Sequence, residues 1–96
     1  MNKKGESVLI VRELVIHNQY GIHARPAALF VKTASRYDSD IYVEKDGNKV
    51  SGKSIMGLMT LEAAKGSKIK VSAEGIDAEE AVKELQALIE SKFDEE

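Results

Sequence analysis

Apolar positions along this chain switch between a period of two and a period near three and a half, and the switches mark out its elements. Val8 to Ile16 is rich in β-branched residues, and its later half alternates, with Leu14 and Ile16 on one face against Glu13 and Val15. That pattern predicts a strand. His17-Asn18-Gln19-Tyr20-Gly21 is polar and glycine-terminated, so a loop follows. Ala27, Phe30, Val31 and Ala34 then recur at i, i+3, i+4 and i+7, predicting a helix from Ala24 or Pro26 to Arg36, which Asp38-Ser39-Asp40 breaks.

Ile41 to Lys45 and Lys49 to Ser51 read as two strands joined through Asp46-Gly47-Asn48. Asp-Gly is a hairpin signal because glycine tolerates the positive φ that such turns need. Ser54 to about Ala64 reads as a second helix, with Ser54 as N-cap and Gly66 suited to its C-terminal cap. Lys68 to Ala73 alternates cleanly, as a strand with one wet and one buried face does. Asp77 with Glu80 three residues on resembles a capping box for a third helix. Ala81, Val82, Leu85, Leu88 and Ile89 form its apolar stripe, which extends toward Phe93.

The resulting order is β-α-β-β-α-β-α. It predicts an α+β fold, an open-faced β-sandwich in which a four-stranded antiparallel sheet is covered on one face by three helices. Residues 8–93 form the expected single domain, with 1–7 as a frayed extension and 94–96 as an acidic, solvated tail.

Composition narrows the function. A net charge of −2 lacks the basic face of a nucleic-acid binder. Zero cysteines exclude a disulfide framework and thiol chemistry. The apolar run Val8 to Val11 is too short for a secretory signal, and nothing reaches the length of a membrane span. The expectation is a cytoplasmic protein with no nucleic-acid or membrane partner, no metal and no cofactor. Nothing in the sequence argues against a monomer.

The chemistry concentrates in Gly21-Ile22-His23-Ala24-Arg25-Pro26-Ala27-Ala28. Pro26 fits a helix's first turn, where a missing N–H costs no hydrogen bond. His23 therefore stands at the mouth of a helix whose first N–H groups lack intrahelical partners and, with the macrodipole, favour an anion. Arg25 adds a planar fork suited to phosphate oxygens. Gly21, with no side chain, is expected to let another molecule approach the imidazole. A nucleophilic base beside an anion hole suits the uptake of a phosphoryl group. His17, six residues earlier, matches no metal-ligand spacing and reads as structural or exposed.

The second helix has too many apolar faces for one stripe. Leu58 and Leu61 can be buried together, which turns Met56 and Met59 elsewhere. An exposed Met and Ile cluster on a small domain suits docking, since thioethers adapt to varied surfaces.

The segment from Gly21 to Ala28 resembles the active-site signature of the histidine-containing phosphocarrier (HPr) family of the bacterial phosphotransferase system. The likeness covers roughly Val8 to Ile89. It implies that phosphorylated enzyme I, charged from phosphoenolpyruvate, passes its phosphoryl group to Nδ1 of His23. Arg25 and the helix start at Gly21, Ala24 and Pro26 then hold the group until an EIIA component takes it. Both the helix terminus and Arg25 disfavour a positive imidazolium. By position, Ala28, Ile55, Met56 and Met59 form the partner-docking surface. Lys53-Ser54-Ile55-Met56-Gly57 looks like the regulatory serine segment that the HPr kinase/phosphorylase acts on. A phosphate on Ser54 would place roughly −1.5 to −2 charge inside the apolar patch and oppose docking.

Three features depart from the family's commonest form: a longer start, the His-Asn-Gln-Tyr loop before Gly21, and Ala24 where some members carry a hydroxyl. A nitrogen-related or purely regulatory branch, acting through Ser54 and the Met/Ile patch, shares the motif. An acylphosphatase-like hydrolase is a further alternative and would leave His23 idle. With no Walker-type glycine loop and no visible base to activate water, the chain reads as a covalent carrier that turns over with its partners, not a stand-alone enzyme.

Overall fold

The computed structural model describes residues 7–95. Four strands, β1 (Val8–Val15), β2 (Asp40–Lys45), β3 (Asn48–Ser51) and β4 (Lys68–Gly75), form one sheet in the order β1-β4-β2-β3, with every pairing antiparallel. Helices α1 (Ala24–Ala34), α2 (Ile55–Thr60) and α3 (Ala78–Glu90) complete the β-α-β-β-α-β-α order. Inserting β4 between β1 and β2 brings Leu14 opposite Ile69, Val43 opposite Val71, and both Ile10 and Ile41 opposite Ala73. Apart from the half-buried Ile10, these side chains are buried, and they join Phe30 of α1, Leu58 of α2 and Val82, Leu85 and Ile89 of α3 in one core. The alternation within β2 and β4 is thus the signature of one covered face. No helix among the described residues is long and apolar enough to cross a membrane.

The hairpin between β2 and β3 is tighter than its three-residue reading. Lys45 pairs directly with Asn48, so only Asp46 (φ 53°) and Gly47 (φ 84°) make the turn. Both sit in the left-handed region, as a two-residue type I′ turn requires.

Two capping expectations are overturned. Helix α2 stops at Thr60, so Gly66 caps nothing. Leu61 and Ala63 leave the helix to fill the core, and Gly66 (φ 91°) instead turns the chain into β4, its N–H donating to Ile16 O at 2.8 Å. Asp77 precedes α3, yet its carboxylate makes no cap bond. It accepts from the backbone N–H of Asp38 (2.8 Å) and Ser39 (3.0 Å) and from the Ser39 hydroxyl. Three donors converging from one distant loop outcompete a single local N–H, and they pin the α1–β2 connection to the start of α3.

The chain after α3 departs most from expectation. Lys92–Asp94 forms a short 3₁₀ turn in which Lys92, Phe93 and Asp94 all have positive φ, between 55° and 59°. Phe93 is buried at 2% exposure, as the stripe of α3 suggested, although the α-helix has already ended at Glu90. The turn sends Glu95 back toward the start of α1. A fully solvated tail is therefore not what Glu95 forms, while Glu96 lies outside the described residues, as do residues 1–6 of the expected frayed start.

Candidate functional site

Four segments build the site: the β1–α1 loop, the first turn of α1, the start of α2 and the returning C-terminal turn. His23 is the N-cap residue of α1, in extended conformation, with its carbonyl accepting from Ala27 N at 3.0 Å. Ala24 and Arg25 are the first two helical residues, and Pro26 is the third. Neither the Ala24 nor the Arg25 N–H meets an acceptor among the described residues, and Pro26 carries none. Two free donors at the positive end of an 11-residue helix therefore adjoin the histidine. The Arg25 side chain is exposed, with no ion pair among the described residues.

Gly21 works differently from its sequence reading. Its φ is 67°, and a Cβ there would stand 2.2 Å from Ala63 O and 2.8 Å from Ala64 Cα. The missing side chain admits the protein's own backbone after α2, not a visiting molecule. This contact lets Ile22 N bond Ala63 O at 2.9 Å and fixes where His23 emerges.

His23 is partly open, its side chain 39% exposed. One ring nitrogen is engaged: Nε2 lies 3.0 Å from Oε2 of Glu95, whose side chain is only 15% exposed. No described residue bonds to Nδ1. The other Glu95 oxygen accepts from Asn18 Nδ2 at 3.0 Å, and the same amide nitrogen donates to Gly21 O at 2.7 Å. Asn18 is fully buried, and its Oδ1 has no partner among the described residues. Tyr20, 73% exposed, stands edge-on to the imidazole with ring centroids 6.3 Å apart. Asn18, Tyr20 and Glu95 were absent from the sequence-derived site. Nothing periodic marks them, and the Glu95 contacts join residues 72 and 77 positions apart.

Ser54 is the N-cap of α2, and its Oγ accepts from Gly57 N at 3.0 Å. Beyond it, Ile55, Met56 and Met59 are exposed, Met56 to 79%, while Leu58 and Leu61 are buried. The helix thus splits as its spacing implied. Ala28 is exposed on α1, which packs directly against α2. His17 is exposed and takes no part.

A family model described as the PTS HPr component phosphorylation site matches residues 10–91. The chain belongs to the HPr family. The phosphocarrier protein HPr of Borreliella burgdorferi is 48% identical over 83 residues, 86% of this chain and 96% of that protein. The crystal structure of an HPr from Thermoanaerobacter tengcongensis superposes with a TM-score of 0.87 at 57% identity, covering 91% of this chain and 98% of that one. A crystal structure of Crh from Bacillus subtilis, described as a catabolite repression protein with a swapped domain in a dimer, gives a TM-score of 0.71 at 43% identity over 84% and 93% of the two chains. The open four-stranded sheet with three helices is therefore the HPr architecture, and this chain is an HPr-family phosphocarrier. Membership implies partners of the phosphotransferase system such as enzyme I and EIIA. A dimeric Crh removes the ground for reading a monomer from the fold.

Proposed function

We propose that this protein is a cytoplasmic carrier that takes a phosphoryl group from phosphorylated enzyme I onto His23 and delivers it to an EIIA component. The observation that carries this reading is the state of the imidazole: partly exposed, held at Nε2, open at Nδ1, and carried by the N-cap residue of a helix whose first two residues, Ala24 and the exposed Arg25, have no acceptor for their N–H groups among the described residues. A carboxylate can only accept a hydrogen bond, so Nε2 is the donor, which in a neutral ring leaves the lone pair on Nδ1. The N–H groups of Ala24 and Arg25, with the Arg25 guanidinium, take the oxygens of the incoming group. Ala28, Ile55, Met56 and Met59 dock the partners beside it. Gly21 and Pro26 set the loop and first turn that present the ring.

Ser54 supplies control. As an N-cap its oxygen already points at a backbone N–H, so a phosphate there keeps the cap while bringing charge beside exposed Ile55 and Met56. The HPr kinase/phosphorylase is the enzyme to add it. Likeness to Crh favours a second reading, in which the Ser54 face regulates a partner and His23 is dispensable. The deciding experiment incubates the protein with enzyme I and phosphoenolpyruvate and takes an intact mass beside His23→Ala. One acid-labile phosphoryl mass, absent from the variant, supports the carrier. No gain, with enzyme I shown to charge another carrier, leaves the regulatory reading, which predicts that Ser54→Ala and not His23→Ala removes the biological effect.

A further inference from the structure

We propose that Glu95 is the counter-ion of the His23 ring: it holds a proton on Nε2 through the whole transfer cycle and balances the positive charge the ring acquires at each step. The inference rests on the carrier reading above and adds a positioning residue to it. Glu95 does not touch the phosphoryl group; it acts through the imidazole.

The carboxylate is placed for this and gripped there. Oε2 faces Nε2 at 3.0 Å, and Oε1 accepts from the fully buried Asn18 at 3.0 Å. Asn18 gives the same nitrogen to Gly21 O at 2.7 Å, so one amide ties the carboxylate to the loop that presents the histidine. The chain reaches this position through three consecutive non-glycine residues with positive φ, a conformation L residues disfavour, anchored by buried Phe93. Backbone held in such a region persists only where its surroundings over-determine it. Here Phe93 in the core and Glu95 on the histidine flank the turn from both sides.

The electron count explains the need. The form of the ring that reacts has hydrogen on Nε2 and a lone pair on Nδ1. That pair attacks the phosphorus carried by the donor's phosphohistidine. A new N–P bond forms at Nδ1, the donor's N–P bond breaks, and its electron pair returns to the donor's nitrogen. No proton leaves His23, so its ring becomes a phosphoimidazolium with one positive charge, facing Glu95. Onward transfer repeats the displacement: a lone pair of the acceptor's nucleophile forms a new bond to phosphorus, the Nδ1–P bond breaks, its pair returns to Nδ1, and a neutral ring departs. Had the Nε2 proton been lost, the leaving group would be an imidazolate anion, a far poorer one. A fixed carboxylate opposite the developing charge stabilises the transition state without reorganisation, as the triad aspartate does for its imidazolium.

The test uses the full chain as wild type, Glu95→Gln and Glu95→Ala, each charged by enzyme I and phosphoenolpyruvate, with the rate of phosphoryl uptake and the lifetime of the phosphohistidine both followed. Gln keeps an acceptor for Nε2–H and loses the charge. Both variants are expected to take up the group about tenfold more slowly, the order that separates a charge-assisted from a neutral hydrogen bond. Their phosphohistidine is expected to hydrolyse more slowly than that of wild type, because the carboxylate that holds the Nε2 proton of the leaving ring is gone. Wild-type uptake by Glu95→Gln overturns the counter-ion. Faster hydrolysis in either variant also overturns it, since that is what a merely shielding carboxylate would give. Wild type that takes up nothing from a competent enzyme I overturns the carrier reading itself, a result distinct from both.

Discussion

Gly21→Ala isolates how the fold aims His23. Two costs add at this position. A φ of 67° is ordinary for glycine and strained for alanine, by about 1 kcal/mol. The new Cβ would also stand 2.2 Å from the carbonyl oxygen of Ala63, and the obstacle is backbone, which cannot rotate aside. Relief requires the loop to withdraw and to give up the 2.9 Å bond from Ile22 N to Ala63 O, worth about 1 kcal/mol more. The expected destabilisation is therefore about 2–3 kcal/mol. Gly47→Ala is the matched control: its φ of 84° carries similar strain, while nothing lies within 4 Å of its Cβ, so about 1 kcal/mol is expected. Urea unfolding of the two variants and wild type measures both costs through the midpoint at constant slope. Enzyme I-dependent phosphorylation, at a urea-free temperature where each variant is folded, is expected to fall for Gly21→Ala alone. Equal destabilisation by the two variants would refute the argument that Gly21 is needed for close backbone approach.

Three further outcomes follow from the same geometry. Ser54→Ala removes the oxygen that accepts from Gly57 N and should cost about 1 kcal/mol in urea unfolding, with uptake at His23 unchanged in the absence of a kinase. Met56→Glu, at a side chain 79% exposed, should leave the unfolding midpoint unchanged and raise the KM for transfer from enzyme I; an unchanged KM would remove Met56 from the docking surface. Hydrogen bonds from the Ser39 hydroxyl and the Asp38 N–H hold the Asp77 carboxyl below its ordinary value of 3.8. The resulting stabilisation is present above that value and is lost as pH falls through the lower folded one, so Asp77→Asn should flatten the acid limb of the stability curve there.

Much of this architecture was legible because each element buries one face. Alternation in Lys68 to Ala73, the stripe through Ala27, Phe30 and Ala34, and the Asp46-Gly47 turn each report a local constraint that a short window contains. The Ser54 cap belongs with them, since an N-cap bond spans three residues. What stayed hidden was decided by competition between distant partners. Asp77 has the sequence of a helix cap and serves Asp38 and Ser39 instead. Gly66 has the look of a helix stop, yet α2 ends where Leu61 and Ala63 are drawn into the core. Glu95 sits in an acidic tail whose composition predicts solvation, and only the burial of Phe93 turns it inward.

The same division runs through the site and separates its two tasks. The residues proposed to bind the phosphoryl group are contiguous in sequence, because a helix start presents its N–H groups only to its own N-cap neighbourhood. His23, Ala24, Arg25 and Pro26 could therefore be found together. The residue proposed to govern the ring's proton reaches Nε2 from the other end of the chain, 72 positions away. Glu95 meets Nε2 itself, and Asn18 of the loop holds the other carboxylate oxygen. A carboxylate on Nε2 keeps the proton on that nitrogen and leaves Nδ1, on the residue that caps the positive end of α1, as the one to react in the proposed cycle. The two halves are physically coupled through Gly21, whose carbonyl holds Asn18 and whose backbone position sets His23. Displacing that glycine should thus disturb nucleophile and counter-ion together, whereas replacing Glu95 should alter the ring's charge balance and leave the anion site standing.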